Sequence, residues 1–135
     1  KELEIIEQKA KDGLVICSRW NYTDSIKTAT IERYGFDIFC FKRTLCSLLP
    51  EGDYCLGQPF WDYWFPYNIE KNNILIYHYK KLLFLHEKHP KQWDVENWLY
   101  YITKFKKENN INRENNKIVS KIVRTEILSK VKTIE

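Results

Sequence analysis

The chain has 135 residues, of which 44% are hydrophobic and 30% are charged, and its formal net charge is +4 at pH 7. This length predicts one domain that can bury a core. The mild charge argues against a nucleic-acid-binding protein, which normally shows a concentrated basic face. Four lysines do lie near one another in sequence, and they are typical of a solvated surface: Lys80, Lys81, Lys88 and Lys91. No run approaches the roughly 18 apolar residues of a transmembrane segment.

The cysteine pattern indicates which cellular compartment the protein occupies. Cys17, Cys40, Cys46 and Cys55 include no Cys-x-x-Cys pair, so the spacing of a metal finger is absent. We expect free thiols in a reducing, cytoplasmic compartment, although an even count leaves disulfides open. Methionine is absent even at position 1, and we therefore expect the chain to be part of something longer.

The N-terminal segment predicts a helix followed by a buried strand. Leu3, Ile6 and Ala10 recur at helical spacing, and Gly13 then acts as a stop signal. The β-branched apolar run 14–20 is typical of a buried strand. Arg19 lies near its carboxyl end, where ligands gather in open α/β sheets. It is a candidate binder of phosphate or carboxylate, and a surface ion pair is an equal alternative.

The polar segment 21–34 has no clear pattern and fits either a loop or a short helix from near Asp24. Residues 35–42 alternate as a strand does, with Asp37, Phe39 and Phe41 on one face. The other face would carry Phe36, Ile38, Cys40 and Lys42. Asp37 is thus an acid in an apolar strand, and it needs a partner if it is buried.

The stretch Gly57–Pro66 (Gly-Gln-Pro-Phe-Trp-Asp-Tyr-Trp-Phe-Pro) surrounds one acid, Asp62, with aromatic residues. Apolar walls raise the pKa of a carboxyl group and make it a candidate for acid/base chemistry. The alternative is an aromatic core in which Asp62 only caps a helix. We expect a helix that begins near Asp62 or Trp64 and ends at Ile69–Asn73, with Pro66 confined to its first turn.

The second half predicts a strand over 74–79, a short apolar run, and then His86 and His89, whose spacing alone is weak evidence for a metal site. Asp94 would cap a helix whose apolar stripe is Val95, Trp98, Leu99, Ile102 and Phe105. We divide the chain into an α/β domain over 1–108, a polar linker over 109–116 and an amphipathic helix over 117–135. That helix could pack on this domain, on a missing domain or on a second copy.

Several of these motifs, in this order, resemble glycosyltransferase-like proteins related to the nucleotide-diphospho-sugar transferases of the GT-A fold. The motifs are Tyr34–Arg43 (Tyr-Gly-Phe-Asp-Ile-Phe-Cys-Phe-Lys-Arg), Leu49-Pro50, Gly57–Pro66, Phe84–Pro90 (Phe-Leu-His-Glu-Lys-His-Pro) and Trp93. The resemblance covers roughly residues 13 to 93. It implies the acceptor-side portion of such a fold, with a small mixed sheet, flanking helices and a C-terminal amphipathic helix.

The resemblance also implies roles for individual residues in transfer from a nucleotide-sugar to a carbohydrate acceptor. Asp62 would be the catalytic base, and His86, with His89 as second choice, would bind Mn²⁺ or Mg²⁺. The substrate-binding residues would be Arg19 at the diphosphate, Asp37 at hydroxyls, and Trp61 and Trp64 against a sugar ring.

The chain departs from that family because it has no Asp-x-Asp and no complete nucleotide-binding half before Leu14. The sequence therefore leaves two hypotheses, of which the first is a glycosyltransferase. The alternative is a non-catalytic carbohydrate-binding or protein-interaction module, in which the C-terminal helix docks a partner or a second copy of the chain.

Overall fold

The computed structural model describes residues 1–90 and 94–134, and side chains at 33–35 lie outside the described set. Lys91 and Trp93, which entered the sequence interpretation, are also outside it. The chain is mixed α/β, as the sequence predicts. Its helices are α1 (Glu2–Ala10), α2 (Trp61–Lys71), α3 (Val95–Glu108) and α4 (Asn116–Lys130), and its strands are β1 (Gly13–Tyr22), β2 (Thr30–Cys40), β3 (Leu75–Tyr79), β4 (Leu85–Glu87) and β5 (Lys132–Ile134).

Within the described residues the five strands form one sheet. Four of them lie in the order β2-β1-β3-β5, and β4 pairs with β1 outside this order. β2 runs antiparallel to β1, whereas β3 is parallel to both β1 and β5. β4 continues along the same edge of β1 as β3, pairing in parallel with Trp20, Asn21 and Tyr22. The second half of β1 therefore lies between β2 and β4.

The two faces of the sheet are covered by different helices. On one face, Ile6 of α1 packs with Val15, Cys17, Tyr77 and Tyr79. On the other face, α2, α3 and α4 enclose the larger core, whose fully buried members include Leu14, Ile16, Ile69, Ile102, Phe105, Val119, Val123 and Ile127. Alternation along β1 explains this division, because successive side chains of a strand point to opposite faces.

Strand β2 is longer and less regular than the sequence predicts. It begins at Thr30 and so includes part of the segment that had no clear assignment. Cys17 pairs with Ile38 but Ser18 pairs with Phe36, so an extra residue, Asp37, interrupts the register. This bulge changes the alternation, and Phe36 lies in the same core as Phe39 and Phe41. The prediction that Phe36 faces away from them is wrong.

Helix α2 begins at Trp61, close to the predicted start, but Pro66 is its sixth residue. The prediction that Pro66 lies in the first turn is therefore wrong. Because proline has no N–H, the carbonyl of Asp62 loses the donor that would normally sit four residues later. The backbone before the helix has positive φ at Gly57 (84°) and at Phe60 (72°), so the chain turns sharply into α2.

The apolar stripe of α3 differs in part from its predicted face. In α3, Ile102 and Phe105 are fully buried, whereas Val95 is 71% exposed. Asp94 caps α3 as predicted, accepting from the N–H of Asn97 at 2.8 Å. The C-terminal helix ends at Lys130, and residues 132–134 form β5 instead of continuing it.

Candidate functional site

A polar cluster lies where the second half of β1 meets β2 and β4. Asp37 Oδ1 accepts from Arg19 Nη1 at 3.2 Å, and Asp37 Oδ2 accepts from His86 Nδ1 at 2.9 Å. The three side chains are 28–31% exposed, so the cluster is open to solvent. The bulge positions Asp37, since bulges redirect side chains that regular pairing would fix. The sequence named all three residues as candidates, and the fold brings them into direct contact.

Asp62, in the first turn of α2, lies near this cluster without an ion pair to it among the described residues. Burial raises the pKa of its carboxyl group to about 7, and the charge of Asp37 acts in the same direction. The backbone N–H groups of Asp62 and Tyr63 and the charge of Arg19 pull the pKa down, but burial outweighs them. Asp62 thus lies close enough to Arg19 and Asp37 for their charges to affect its proton.

The residue after Asp62 connects the site to the C-terminal helix. Tyr63 hydrogen-bonds Arg124 of α4, and burial raises the pKa of the Tyr63 hydroxyl to about 12. Its ring also meets Phe36 edge-on, with centroids 6.5 Å apart. The tyrosine is therefore a neutral hydroxyl near pH 7, and it links α4 to the segment that carries Asp62.

The two tryptophans predicted to face a sugar ring are in different environments. Trp61 is partly exposed, and its ring meets Phe39 edge-on at 5.2 Å. Trp64 is only 8% exposed, and it stacks on Tyr54 at 4.9 Å with an interplanar angle of 15°. Trp64 therefore belongs to the core. Its burial corrects the prediction that Trp64 lies against a sugar ring.

The two predicted metal ligands, His86 and His89, each have a partner within the protein. The rings of His86 and His89 lie 5.2 Å apart, but His86 is bonded to Asp37, and His89 Nδ1 lies 2.8 Å from the carbonyl of Pro90. In residues 1–90 and 94–134 no group of three or more His, Cys, Asp or Glu side chains is arranged to hold a metal ion. Two imidazoles and one carboxylate fit poorly to Mg²⁺, which prefers oxygen ligands in octahedral geometry. The predicted Mn²⁺ or Mg²⁺ stays a prediction.

Two residues that the sequence interpretation missed border the cluster. Asn21 is 8% exposed and donates through Nδ2 to Glu32 Oε2 at 3.3 Å. Asn21 Oδ1 and the neighbouring Arg19 Nε are both covered and have no hydrogen-bond partner among the described residues. The alternating Thr-Ile-Glu at 30–32 is the signal that could have identified this strand.

A buried polar pair, Ser18 and His78, joins β1 and β3. Ser18 Oγ and His78 Nε2 are 2.8 Å apart, and both side chains are at least 95% covered. Burial lowers the pKa of His78 to about 4, so its imidazole is neutral near pH 7. The pair is enclosed in the core next to Phe36, whose ring lies 5.6 Å from that of His78, which makes it a structural pair.

Comparison of the chain with protein-family models, with curated proteins and with solved structures finds no match. No helix among the residues that the structure describes is long and apolar enough to cross a membrane. The roles of Arg19, Asp37, Asp62 and His86 are therefore argued from their chemistry and geometry.

Proposed function

We propose that this chain is a glycosyltransferase-like domain that transfers a sugar from a nucleotide-sugar donor to an acceptor hydroxyl, with Asp62 as the base. The observation that carries the proposal is that Arg19 and Asp37, which contacts His86, lie close enough to Asp62 for their charges to act on its carboxyl group. A general base works best with a pKa near the working pH, and the Asp62 carboxyl has a pKa of about 7.

The proposed step is a single displacement at the anomeric carbon of a nucleotide-sugar. The acceptor hydroxyl gives its proton to the Asp62 carboxylate while its oxygen bonds to the anomeric carbon. The bond from that carbon to the diphosphate oxygen breaks, and its electron pair leaves with the nucleoside diphosphate. Asp37 would orient hydroxyl groups, and the partly exposed face of Trp61 would contact the sugar ring.

The diphosphate-binding role that the resemblance implies for Arg19 has lost support. Arg19 is paired with Asp37 at 3.2 Å, so much of its charge is already compensated. A departing diphosphate needs cationic groups where its charge develops. The diphosphate role predicted for Arg19 is therefore not part of this proposal.

The experiment is a transfer assay with UDP-sugars and GDP-sugars, using aryl glycosides as acceptors and mass detection of products. We expect product with at least one donor, and a rate that rises with pH around 7, because the base must be ionised. Asp62→Asn should lower the rate about 10²-fold or more. The exposed Asp24→Asn variant is the matched control and should leave the rate unchanged. Unchanged transfer by Asp62→Asn, or no product from any donor, would refute catalysis by this site.

The compensated charge of Arg19 favours a second candidate, a carbohydrate-binding module without turnover. A site whose arginine is already paired with Asp37 can hold the hydroxyl groups of a sugar without providing the charge that a departing diphosphate needs. Binding of a glycoside that is equal in the wild type and in Asp62→Asn, with no product formed, would favour this candidate over the enzyme.

A further inference from the structure

We propose that Asn21, Glu32 and Arg19 form a subsite for the hydroxyl groups of a neutral, polyhydroxylated ligand. The inference deepens the proposed function, on which it rests for the identity of the ligand as a sugar. Its structural basis is a pair of covered polar atoms, Asn21 Oδ1 and Arg19 Nε, that have no partner within the described part of the chain.

The strand register places these side chains together. Arg19 and Asn21 are two residues apart on β1 and therefore point to the same face. Arg19 pairs with Glu32 of β2, and Asn21 pairs with Thr30 of β2 and with His86 of β4. Directly paired residues share a face of the sheet, so a row of polar side chains crosses three adjacent strands.

The two unpartnered atoms have complementary chemistry. Asn21 Oδ1 is an acceptor and Arg19 Nε–H is a donor. An unmet buried donor or acceptor is unfavourable, so a group that satisfies both is bound favourably. A hydroxyl is such a group, because it donates one hydrogen bond and accepts others. Glu32 and Asp37 add carboxylate oxygens that accept from further hydroxyl groups.

The charges nearby favour a neutral ligand over an anion. Asp37 already holds Arg19 at 3.2 Å and His86 at 2.9 Å. Glu32 adds a second carboxylate, bonded to Asn21 at 3.3 Å. An incoming phosphate would meet two carboxylates and one compensated guanidinium, whereas the hydroxyl groups of a sugar meet acceptors.

Access to the subsite is through its rim. Arg19, Asp37 and His86 keep 28–31% of their side-chain surface, while Asn21 lies at the floor with 8% exposed. The ligand would therefore enter beside Asp37, within reach of the charges that act on Asp62.

The test is proton–nitrogen NMR of the full chain, in which the Nε–H of Arg19 and the side-chain amide of Asn21 give their own signals. Glucose, galactose, mannose and N-acetylglucosamine are titrated separately, with inorganic pyrophosphate as the anionic comparison. We expect at least one sugar to shift both signals saturably and pyrophosphate to leave them in place. Signals that no sugar moves would mean that an ordered water only satisfies the two atoms, and stronger shifts with pyrophosphate would overturn the neutral-ligand assignment.

Variants separate this inference from the proposed function. Arg19→Lys keeps a positive charge for Asp37 but removes the Nε–H donor, and Asn21→Ala removes the acceptor. Each should weaken binding of the active sugar about tenfold, whereas Asn97→Ala on the exposed start of α3 should not. Sugar shifts without transfer would uphold the subsite and refute catalysis. Transfer whose KM is unchanged in both Arg19→Lys and Asn21→Ala would uphold catalysis and refute the subsite.

Discussion

The two aspartates at the site differ in what surrounds them. Asp37 receives hydrogen bonds from a guanidinium and an imidazole, whereas no described side chain forms an ion pair with Asp62. Burial therefore decides the protonation of Asp62 and raises its pKa to about 7. Two carboxyl groups in unlike environments are a common arrangement in acid/base catalysis, and here the difference also has a consequence for stability.

We expect Asp62→Asn to change the pH dependence of stability. An unfolded aspartate loses its proton at about pH 4, but the folded Asp62 keeps it up to about pH 7. Between these values the folded state binds more protons, so wild-type stability falls as the pH rises and then levels off. The variant lacks this loss, so it should match the wild type at about pH 4 and exceed it by about 4 kcal/mol at about pH 8.

Urea unfolding of both proteins at these two pH values measures the effect, and m-values show whether the transitions are comparable. Asp24→Asn is the control, since Asp24 is exposed and its replacement should leave the pH dependence as it is in the wild type. A constant difference between Asp62→Asn and the wild type across the pH range would mean that burial does not raise the Asp62 pKa.

At the scale of elements, Gly13 has two roles in adjacent structures. It follows α1 and opens β1, where it pairs with Leu75 of β3. A Cβ added at Gly13 would overlap the backbone carbonyl of Leu75. The start of the parallel pairing between β1 and β3 therefore needs a residue without a side chain.

Replacing Gly13 with alanine should destabilise the protein by about 2 kcal/mol, because the overlap is with backbone, which can move only if the strands separate. This corresponds to a Tm lower by about 5–10 °C. Thermal unfolding followed by circular dichroism measures it. The exposed neighbour Asp12 provides the control, and Asp12→Ala should stay within about 0.5 kcal/mol of the wild type. Equal Tm values for the two variants would contradict the close approach.

The elements were more predictable from sequence than their exact registers. Local signals identified α1, β1, α2 and the cap at Asp94, because spacing, glycine and capping residues act within a few positions. The bulge at Asp37 and the helical position of Pro66 depend on contacts with distant strands and helices, which single-sequence patterns do not contain. The same limit hid Asn21 and Glu32, since their proximity follows from strand pairing.

For the whole molecule, the C-terminal helix is part of the main core. Val119, Val123 and Ile127 of α4 are fully buried together with residues of α2, α3 and the sheet. Strand β5 then pairs with β3, and Lys130 contacts Glu70 of α2 at 2.6 Å. The apolar periodicity of α4 was visible in the sequence, but the identity of the surface that covers it was not. A partner that docks on α4 would meet Ile118 and Ile122, which remain 48% and 41% exposed.

The shared core predicts that a charge placed in α4 unfolds the sheet as well as the helix. Val123→Asp buries a carboxylate without a partner, which should cost about 4 kcal/mol or more. Ile122→Asp, one position away and 41% exposed, is the matched control and should remain folded. Proton–nitrogen NMR reports the outcome through the amides of β1 and β3. If the signals of β1 and β3 kept their wild-type positions in Val123→Asp while only the α4 signals were lost, the helix would be a separable unit after residues 109–116. Loss of both sets of signals together would mean that α4 completes the fold on which the site at β1 depends.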